Sequence, residues 1–247
     1  MTEVELKLVL VGPEAGPLRA SLARLRRAGR LLLFPRGRKV LRDLYFDFPD
    51  RKLARRGMGV RIRHATGRVF LGWKAGESSR GRAILEREEF EIPWSPSALG
   101  KFRESLARRG VRLGPPGGAA AGPRAALLAL GLVVVQERRT ERVVREVFLG
   151  TTRVAEFDLD EVEYRLRSGS VVHREIEVEK KAEPDVLGEF RAWLLARYGN
   201  ALRPWPYSKL ATGFALERLE GKGVRLRGPL PPRAYELLRR ELRRPAF

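Results

Sequence analysis

The chain has 247 residues, and its 50 Lys and Arg against 30 Asp and Glu give a formal net charge of +20. It contains no cysteine, which excludes disulfides, thiolate metal sites and cysteine nucleophiles, and its two histidines argue against a multi-histidine zinc site. A charge of this size predicts attraction to polyanions, although an arginine-rich composition also follows from a GC-rich genome. No apolar run reaches the roughly 18 residues of a membrane span, and the acidic start does not resemble a signal peptide. We therefore expect a cytoplasmic protein without a membrane partner.

The spacing of apolar residues predicts two groups of antiparallel strands, which suggest two halves of one barrel-like sheet. The strands are predicted over residues 3–11, 40–48, 58–65, 68–75 and 82–92, and then 132–148, 152–160 and 170–181. Helices are predicted over 14–28, 50–56, 96–109, 124–130, 184–198, 208–219 and 232–243, with a loop over 110–123. We expect one domain over residues 1–220, followed by a basic tail over 221–247 that contains the last helix.

The first strand, Glu3-Val4-Glu5-Leu6-Lys7, carries its charges on one face, because successive side chains of a strand point to opposite sides. Other predicted strands repeat this alternation of charged and apolar residues. On any one strand a solvated face is the simpler interpretation. Across the set, however, some strands carry only acids and others carry bases. This distribution favours a barrel with a charged lumen and an apolar outer surface covered by helices.

The acidic positions could hold hard divalent cations, which prefer oxygen ligands, and the basic positions could bind phosphate oxygens. The acidic positions are Glu3, Glu5, Glu156, Asp158, Asp160, Glu175 and Glu177. The basic positions are Lys7, Arg61, Arg63, Lys74, Arg87, Arg139 and Lys209. Arg138 and Arg139 compete for one lumen position, and the period of two cannot choose between them without the register.

These segments together resemble, in order, the motifs of the CYTH superfamily, also called triphosphate tunnel metalloenzymes. The similar segments are Glu3-x-Glu5-x-Lys7, Asp43-Leu44-Tyr45-Phe46-Asp47-Phe48-Pro49-Asp50, Gly59-Val60-Arg61-Ile62-Arg63, Trp73-Lys74, Arg87-Glu88-Glu89-Phe90-Glu91, Arg138-Arg139-Thr140, Leu159-Asp160-Glu161-Val162, Glu175-Ile176-Glu177-Val178-Glu179 and Ser208-Lys209-Leu210. The resemblance covers roughly residues 1–219.

The resemblance implies an α+β fold, with an eight-stranded antiparallel β-barrel that binds a triphosphate together with Mg²⁺ or Mn²⁺. It implies metal ligands at Glu3, Glu5, Asp158, Asp160, Glu175 and Glu177. It implies substrate contacts from Lys7, Arg61, Arg63, Lys74, Arg87, Arg139 and Lys209, with Lys7, Asp158 and Asp160 as catalytic residues. The chain is most similar to bacterial inorganic triphosphatases, which convert tripolyphosphate to pyrophosphate and phosphate. Many of those enzymes carry a helical CHAD domain, and we expect none here because only the basic tail follows residue 220.

Alternatives remain open on the same fold. The barrel could serve a nucleoside triphosphatase, a thiamine triphosphatase or an adenylate cyclase, since the sequence does not show what lies beyond the third phosphate. A module that binds polyphosphate or RNA without turnover is the other alternative, with nucleic acid the less favoured partner. It is motivated by the net charge and by the basic residues of the tail, Lys222, Arg225, Arg227, Arg233, Arg239, Arg240, Arg243 and Arg244. The sequence does not fix the oligomeric state.

Overall fold

Long strands carry the alternation of charged and apolar residues that the sequence shows. The computed structural model describes residues 2–79, 83–114 and 122–243, except for the side chains of 77–79. The strands are β1 Thr2–Leu10, β2 Arg27–Ala28, β3 Leu31–Asp47, β4 Gly59–Ala65, β5 Arg68–Ser79, β6 Ile84–Pro93, β7 Val133–Leu149, β8 Thr152–Leu166, β9 Gly169–Lys180, β10 Leu202–Pro204 and β11 Gly228–Pro229. The helices are α1 Ala15–Leu22, α2 Lys52–Arg55, α3 Ala98–Ala107, α4 Pro123–Ala129, α5 Leu187–Tyr198, α6 Lys209–Gly221 and α7 Pro232–Leu242.

Eight of these strands close into an antiparallel barrel, as the sequence predicted. The order around the barrel is β1, β6, β5, β4, β3, β7, β8 and β9, and β9 pairs again with β1. The short strands lie at its periphery: β10 pairs with β1, β2 pairs with β3, and β11 runs parallel to β9. Closure leaves no open edge among the eight barrel strands, so their backbone groups are paired around the full circumference.

Helices cover the apolar outer surface of the barrel. Leu6 and Leu8 of β1 pack outward with Phe190 of α5, and all three are fully buried. A second cluster joins Trp73 of β5 to Phe102 of α3 on another part of the surface. Burying a Leu or Phe side chain of this kind stabilises the fold by roughly 1.5–3 kcal/mol. The charged side chains that alternate with these residues consequently point into the barrel.

The first turn of α6 is fixed against the inner walls of β7 and β8. The Ser208 side chain caps this helix by accepting a hydrogen bond from the backbone N–H of Ala211. Tyr164 Oη donates to the carbonyl oxygen of Lys209 at 3.0 Å, and Gln136 Nε2 donates to that of Leu210 at 3.3 Å. These contacts hold the Lys209 side chain inside the barrel. Helix α7 packs on α6 through a cluster that includes the buried residues Ala234, Tyr235 and Leu238.

One predicted helix is too long, and one strand begins earlier than predicted. The helix predicted over 14–28 ends at Leu22, and β3 begins at Leu31 rather than at residue 40. The pairing of β3 with β7 shifts register between Pro35 and Gly37. A bulge at this point accommodates the proline, which cannot donate to the ladder, and the same residues interrupt the strand pattern in the sequence.

Three predictions extend beyond the described residues. Residue 82 of the strand predicted over 82–92 lies outside them, as do residues 115–121 of the loop predicted over 110–123 and Arg244 of the basic tail. Within the described ranges, none of the helices combines the length and the apolar character that crossing a membrane requires.

Candidate functional site

A cavity of about 420 Å³ lies inside the barrel and reaches the N-terminal half of α6. Seven of the predicted site residues line it, namely Glu3, Arg61, Arg63, Lys74, Arg87, Glu177 and Lys209. Five others, Glu5, Lys7, Asp158, Asp160 and Glu175, are at most 3% exposed and do not line this cavity. They lie behind its wall, in contact with residues that do line it. The remaining predicted residue, Arg139, does not line the cavity.

An acidic cluster forms where β8 and β9 pair. Asp160 lies opposite Glu175 in the register, and oxygen atoms of Asp160, Glu175 and Glu177 lie within 4.8 Å of one another. Lys7 Nζ contacts Glu175 at 3.1 Å and Glu177 at 2.7 Å. Lys209 Nζ approaches the same cluster from α6, at 3.0 Å from Asp160 and 2.6 Å from Glu177, and it also contacts Glu175. Two ammonium groups therefore contact the three buried carboxylates and offset two of their three negative charges.

Arg142 of β7 closes this cluster on the side of Asp158. Its Nη2 lies 2.6 Å from Asp160 and 2.5 Å from Glu177, and its Nη1 contacts Asp158. Asp158 Oδ1 is buried without a hydrogen-bond partner among the described residues. Burial raises the pKa of Asp158 to about 8, with further contributions from Asp160, Glu156 and Glu177 that Arg142 only partly offsets.

The pKa values of the neighbouring carboxyls differ because their partners differ. Burial alone would raise the pKa of Glu177, but Lys209, Lys7 and Arg142 outweigh it and hold this pKa well below its usual range. Burial also raises the pKa of Glu5 to about 7, because Arg87 offsets only part of the desolvation. The site thus contains carboxyls that are ionised throughout the neutral range beside others that gain or lose a proton within it.

A second group of ion pairs lies on the wall formed by β1, β6 and β5. Glu3 accepts from Lys74 at 2.6 Å and from Arg87 Nε at 3.0 Å, while Arg87 Nη2 reaches Glu5 at 2.5 Å. Lys74 also lies 3.0 Å from Glu89. Burial would raise the pKa of Glu3, but the charges of Lys74 and Arg87 lower it far below its usual range. Glu3 and Glu5 therefore pair with cations here, apart from the cluster of three carboxylates.

The third wall, built by β4, β3 and β7, is arginine-rich. Arg63 donates two hydrogen bonds to Asp43, at 2.7 and 2.8 Å, and Arg138 Nη2 donates to Asp43 at 3.1 Å. Arg138 Nη2 also lies 2.5 Å from Tyr45 Oη, and its guanidinium lies over the Tyr45 ring. Arg61 Nη2 contacts Glu89 and Glu91 at 2.7 Å each. These carboxylates keep the guanidinium groups extended toward the cavity.

The structure corrects the placement of Arg139. Its side chain is 41% exposed on the outside of the barrel, where it pairs with Glu141 at 2.7 Å. Arg138 occupies the lumen position instead, and Arg142, two strand repeats further on, shares its face. Sequence reasoning missed Arg142 as a site residue. The alternation from Arg138 would have indicated it, but β7 carries charged residues on both faces and thus gives no apolar reference.

The acidic cluster fits a hard divalent cation. Asp160, Glu175 and Glu177 supply only oxygen ligands, which Mg²⁺ and Mn²⁺ prefer. Asp158 Oδ1, which no described residue hydrogen-bonds, is a further acceptor beside them. The predicted metal ligands that come together in this way, Asp158, Asp160, Glu175 and Glu177, all lie on β8 and β9. The predicted metal ligands of β1 are paired differently: Glu3 contacts Lys74 and Arg87, and Glu5 contacts Arg87.

Comparisons with known proteins agree with this architecture. The structure resembles that of a Hippeastrum protein described as an adenylyl cyclase candidate with a dominant triphosphatase activity; the identity is 20%, the alignment covers 87% of this chain and 96% of that one, and the TM-score is 0.58. An adenylate cyclase candidate from Bacillus halodurans has 18% identity, coverages of 85% and 96%, and a TM-score of 0.49. At such identities the likeness concerns the fold. No curated protein sequence matches the chain. The family model described as the CYTH domain matches residues 1–194, and the chain accordingly belongs to the CYTH family.

Proposed function

We propose that this protein hydrolyses a triphosphate in the presence of Mg²⁺ or Mn²⁺, and that inorganic tripolyphosphate is its substrate, giving pyrophosphate and phosphate. The observation that carries the proposal is that one lysine belongs both to the cavity lining and to the acidic cluster. Lys209 lines the cavity and at the same time contacts Asp160, Glu175 and Glu177. Groups suited to phosphate and groups suited to a divalent cation therefore meet inside one barrel.

The cavity offers cations on several sides to a linear anion. Arg61, Arg63, Lys74, Arg87 and Lys209 line it, and each is now held by a carboxylate. Phosphate oxygens accept the same hydrogen bonds as carboxylate oxygens, and the planar guanidinium can donate two of them in parallel. Three phosphate groups can consequently take over contacts that these cations make with carboxylates.

The acidic cluster would hold the divalent cation through Asp160, Glu175 and Glu177. When bound, the cation supplies positive charge to phosphate oxygens and lowers the pKa of a coordinated water. Lys7 positions two of these carboxylates from behind the cavity wall. Asp158 and Asp160 remain our candidates for orienting the attacking water, and Asp158 Oδ1 is an acceptor without a hydrogen-bond partner among the described residues. Phosphoryl transfer depends largely on positioning and on electrostatic stabilisation, which this set of residues provides.

Phosphate release from tripolyphosphate, with Mg²⁺ or Mn²⁺ and with EDTA, tests the proposal. Lys74→Met removes a cavity cation that is 20% exposed, and we expect kcat to fall on the order of 10²-fold, as for the loss of one oxyanion donor. Arg30→Met is a matched control, because Arg30 pairs with Glu189 outside the barrel with its side chain 62% exposed. Binding of tripolyphosphate without phosphate release by the wild type, under either metal, would instead indicate a binding module.

An organic triphosphate is the second candidate substrate, and one flank of the cavity favours it. Met58, Leu210 and Phe214 line this flank together with alanine and glycine residues, and tripolyphosphate has no apolar part to contact them. Assays of phosphate release separate the two candidates. The substrates to compare, each with Mg²⁺ and with Mn²⁺, are ATP, thiamine triphosphate, tripolyphosphate and pyrophosphate. The formation of cyclic AMP from ATP would identify a cyclase. A kcat/KM for tripolyphosphate below that for an organic triphosphate would refute the first candidate.

A further inference from the structure

A second depression, of about 810 Å³, lies beside the C-terminal half of α6 and shares no lining residue with the barrel cavity. It is bounded by the turn between β8 and β9, the N-terminal end of α2 and the chain that follows α6. Five arginines from these segments line it, namely Arg51, Arg165, Arg167, Arg225 and Arg227. We call this feature the arginine depression.

Among the described residues, these guanidinium groups have fewer carboxylate partners than those of the lumen. Among the described residues, Arg51, Arg167, Arg225 and Arg227 have no carboxylate within salt-bridge distance, and Arg165 reaches only Glu137, at 3.3 Å and largely exposed. Each lumen cation, in contrast, is paired. Like charges gathered around one concavity repel one another, and a bound anion relieves that repulsion.

Two carboxyls also line the depression, and Glu217 interacts electrostatically with Arg51 and Arg167, but two carboxyls offset only part of the charge of five arginines. Glu220 accepts hydrogen bonds from the backbone N–H groups of Arg167 and Ser168, at 3.3 and 2.6 Å. Glu217 has no carboxylate–guanidinium contact within salt-bridge distance in the described part of the chain. Burial raises its pKa to about 7, so that it carries only part of a negative charge at neutral pH. The depression therefore keeps a positive excess.

One hydrogen-bond donor of the depression remains unsatisfied among the described residues. Arg51 adopts a left-handed backbone conformation with φ of 60°, and its guanidinium lies over the Phe214 ring at 5.2 Å. Arg51 Nη1 is buried and has no hydrogen-bond partner in the described structure. A buried donor without a partner costs free energy, and an oxygen of a ligand would satisfy it.

We propose that the arginine depression is a second anion site, which binds a small anion with at least two phosphate groups, such as pyrophosphate or a short polyphosphate. Guanidinium groups from separate segments surround the concavity and suit a compact, multiply charged ligand. The site is independent of the reaction proposed for the barrel. It also gives a role to the part of the basic tail that the lumen leaves unused, since Arg225 and Arg227 follow α6.

Calorimetric titration of the whole protein with pyrophosphate in EDTA tests this proposal. We expect two binding sites in the wild type. The double variant Arg225→Ser/Arg227→Ser should keep one site and weaken the other by about tenfold or more, because each substitution removes charge-assisted hydrogen bonds. The variant Lys74→Met should affect the other site only. Arg233→Ser/Arg240→Ser is the matched control. These substitutions remove the same amount of positive charge, and both arginines are exposed on α7 and do not line the depression.

Three results would overturn the proposal. One is pyrophosphate binding that Arg225→Ser/Arg227→Ser leaves unchanged, and another is equal weakening in the two double variants, which would indicate non-specific attraction. The third is a single-stranded oligoribonucleotide that binds more tightly than pyrophosphate and whose binding is lost in Arg225→Ser/Arg227→Ser. Failure of the barrel proposal is distinguishable, because it shows as absent phosphate release in the wild type. An unchanged urea midpoint confirms that each double variant is folded.

Discussion

Arg138 and Arg139 are adjacent in sequence, but the structure predicts very different consequences for replacing them. Arg138 is 3% exposed and donates to Asp43 and to the Tyr45 hydroxyl. Breaking a buried ion pair from one side costs about 3–5 kcal/mol. Arg63 keeps two hydrogen bonds to Asp43 after Arg138→Met, so the carboxylate is not left unpaired. We therefore expect the lower end of this range, about 3 kcal/mol of unfolding free energy.

Arg139→Met is the matched control, since it changes the same residue type on the same strand. The side chains of Arg139 and Glu141 are 41% and 47% exposed, and such surface pairs contribute about 0–1 kcal/mol. Urea unfolding followed by the fluorescence of the four tryptophans measures both variants. Phosphate release should fall in Arg138→Met, whose side chain lines the cavity, and stay unchanged in Arg139→Met. An Arg139→Met variant as destabilised as Arg138→Met would refute the register of β7.

Two further predictions concern packing and pH. A Cβ at Gly72 would lie 2.7 Å from the backbone oxygen of Phe90, so Gly72→Ala should lower the urea midpoint of unfolding. Gly100 in α3 has open space around it, so Gly100→Ala should raise that midpoint. The reverse order of the two midpoints would contradict the strand packing. The pKa of Asp158 is raised to about 8, so the folded state binds the extra proton between about pH 4 and 8. In EDTA the protonated Asp158 carboxyl therefore contributes fully to the free energy of unfolding at about pH 4. This contribution is lost as the pH rises toward 8, by at most about 1.4 kcal/mol per pH unit. Asp158→Asn should flatten this decline, and an unaltered slope in urea titrations would count against the raised pKa.

The strands whose outer face is covered could be predicted well from the sequence. On β1 the outward residues Leu6 and Leu8 are fully buried under helices, so their contrast with Glu5 and Lys7 identifies both faces. On β7 the outer surface around Arg139 is open to solvent, and Arg139 lies there as an ordinary exposed charge. Without an apolar face the period of two has no reference, and only the pairing with a neighbouring strand fixes which arginine points inward.

The composition of the acidic cluster could not be predicted for a related reason. Alternation places Glu3, Glu5, Glu175 and Glu177 in the lumen, but it does not say which of them meet. That depends on the stagger between strands around a closed barrel and on the reach of the side chains. In the structure, Glu3 and Glu5 pair with Lys74 and Arg87, and the carboxylates of β8 and β9 form the cluster.

The ion pairs of the lumen imply that ligand binding is an exchange of partners. Buried ion pairs contribute little net stability, because desolvation offsets most of the attraction, so stability alone does not account for so many of them. Lys209 contacts three carboxylates at once and also lines the cavity. It becomes available to a phosphate oxygen only when another positive charge satisfies those carboxylates. A divalent cation at Asp160, Glu175 and Glu177 meets that requirement, and binding of the cation and of the triphosphate should consequently favour each other.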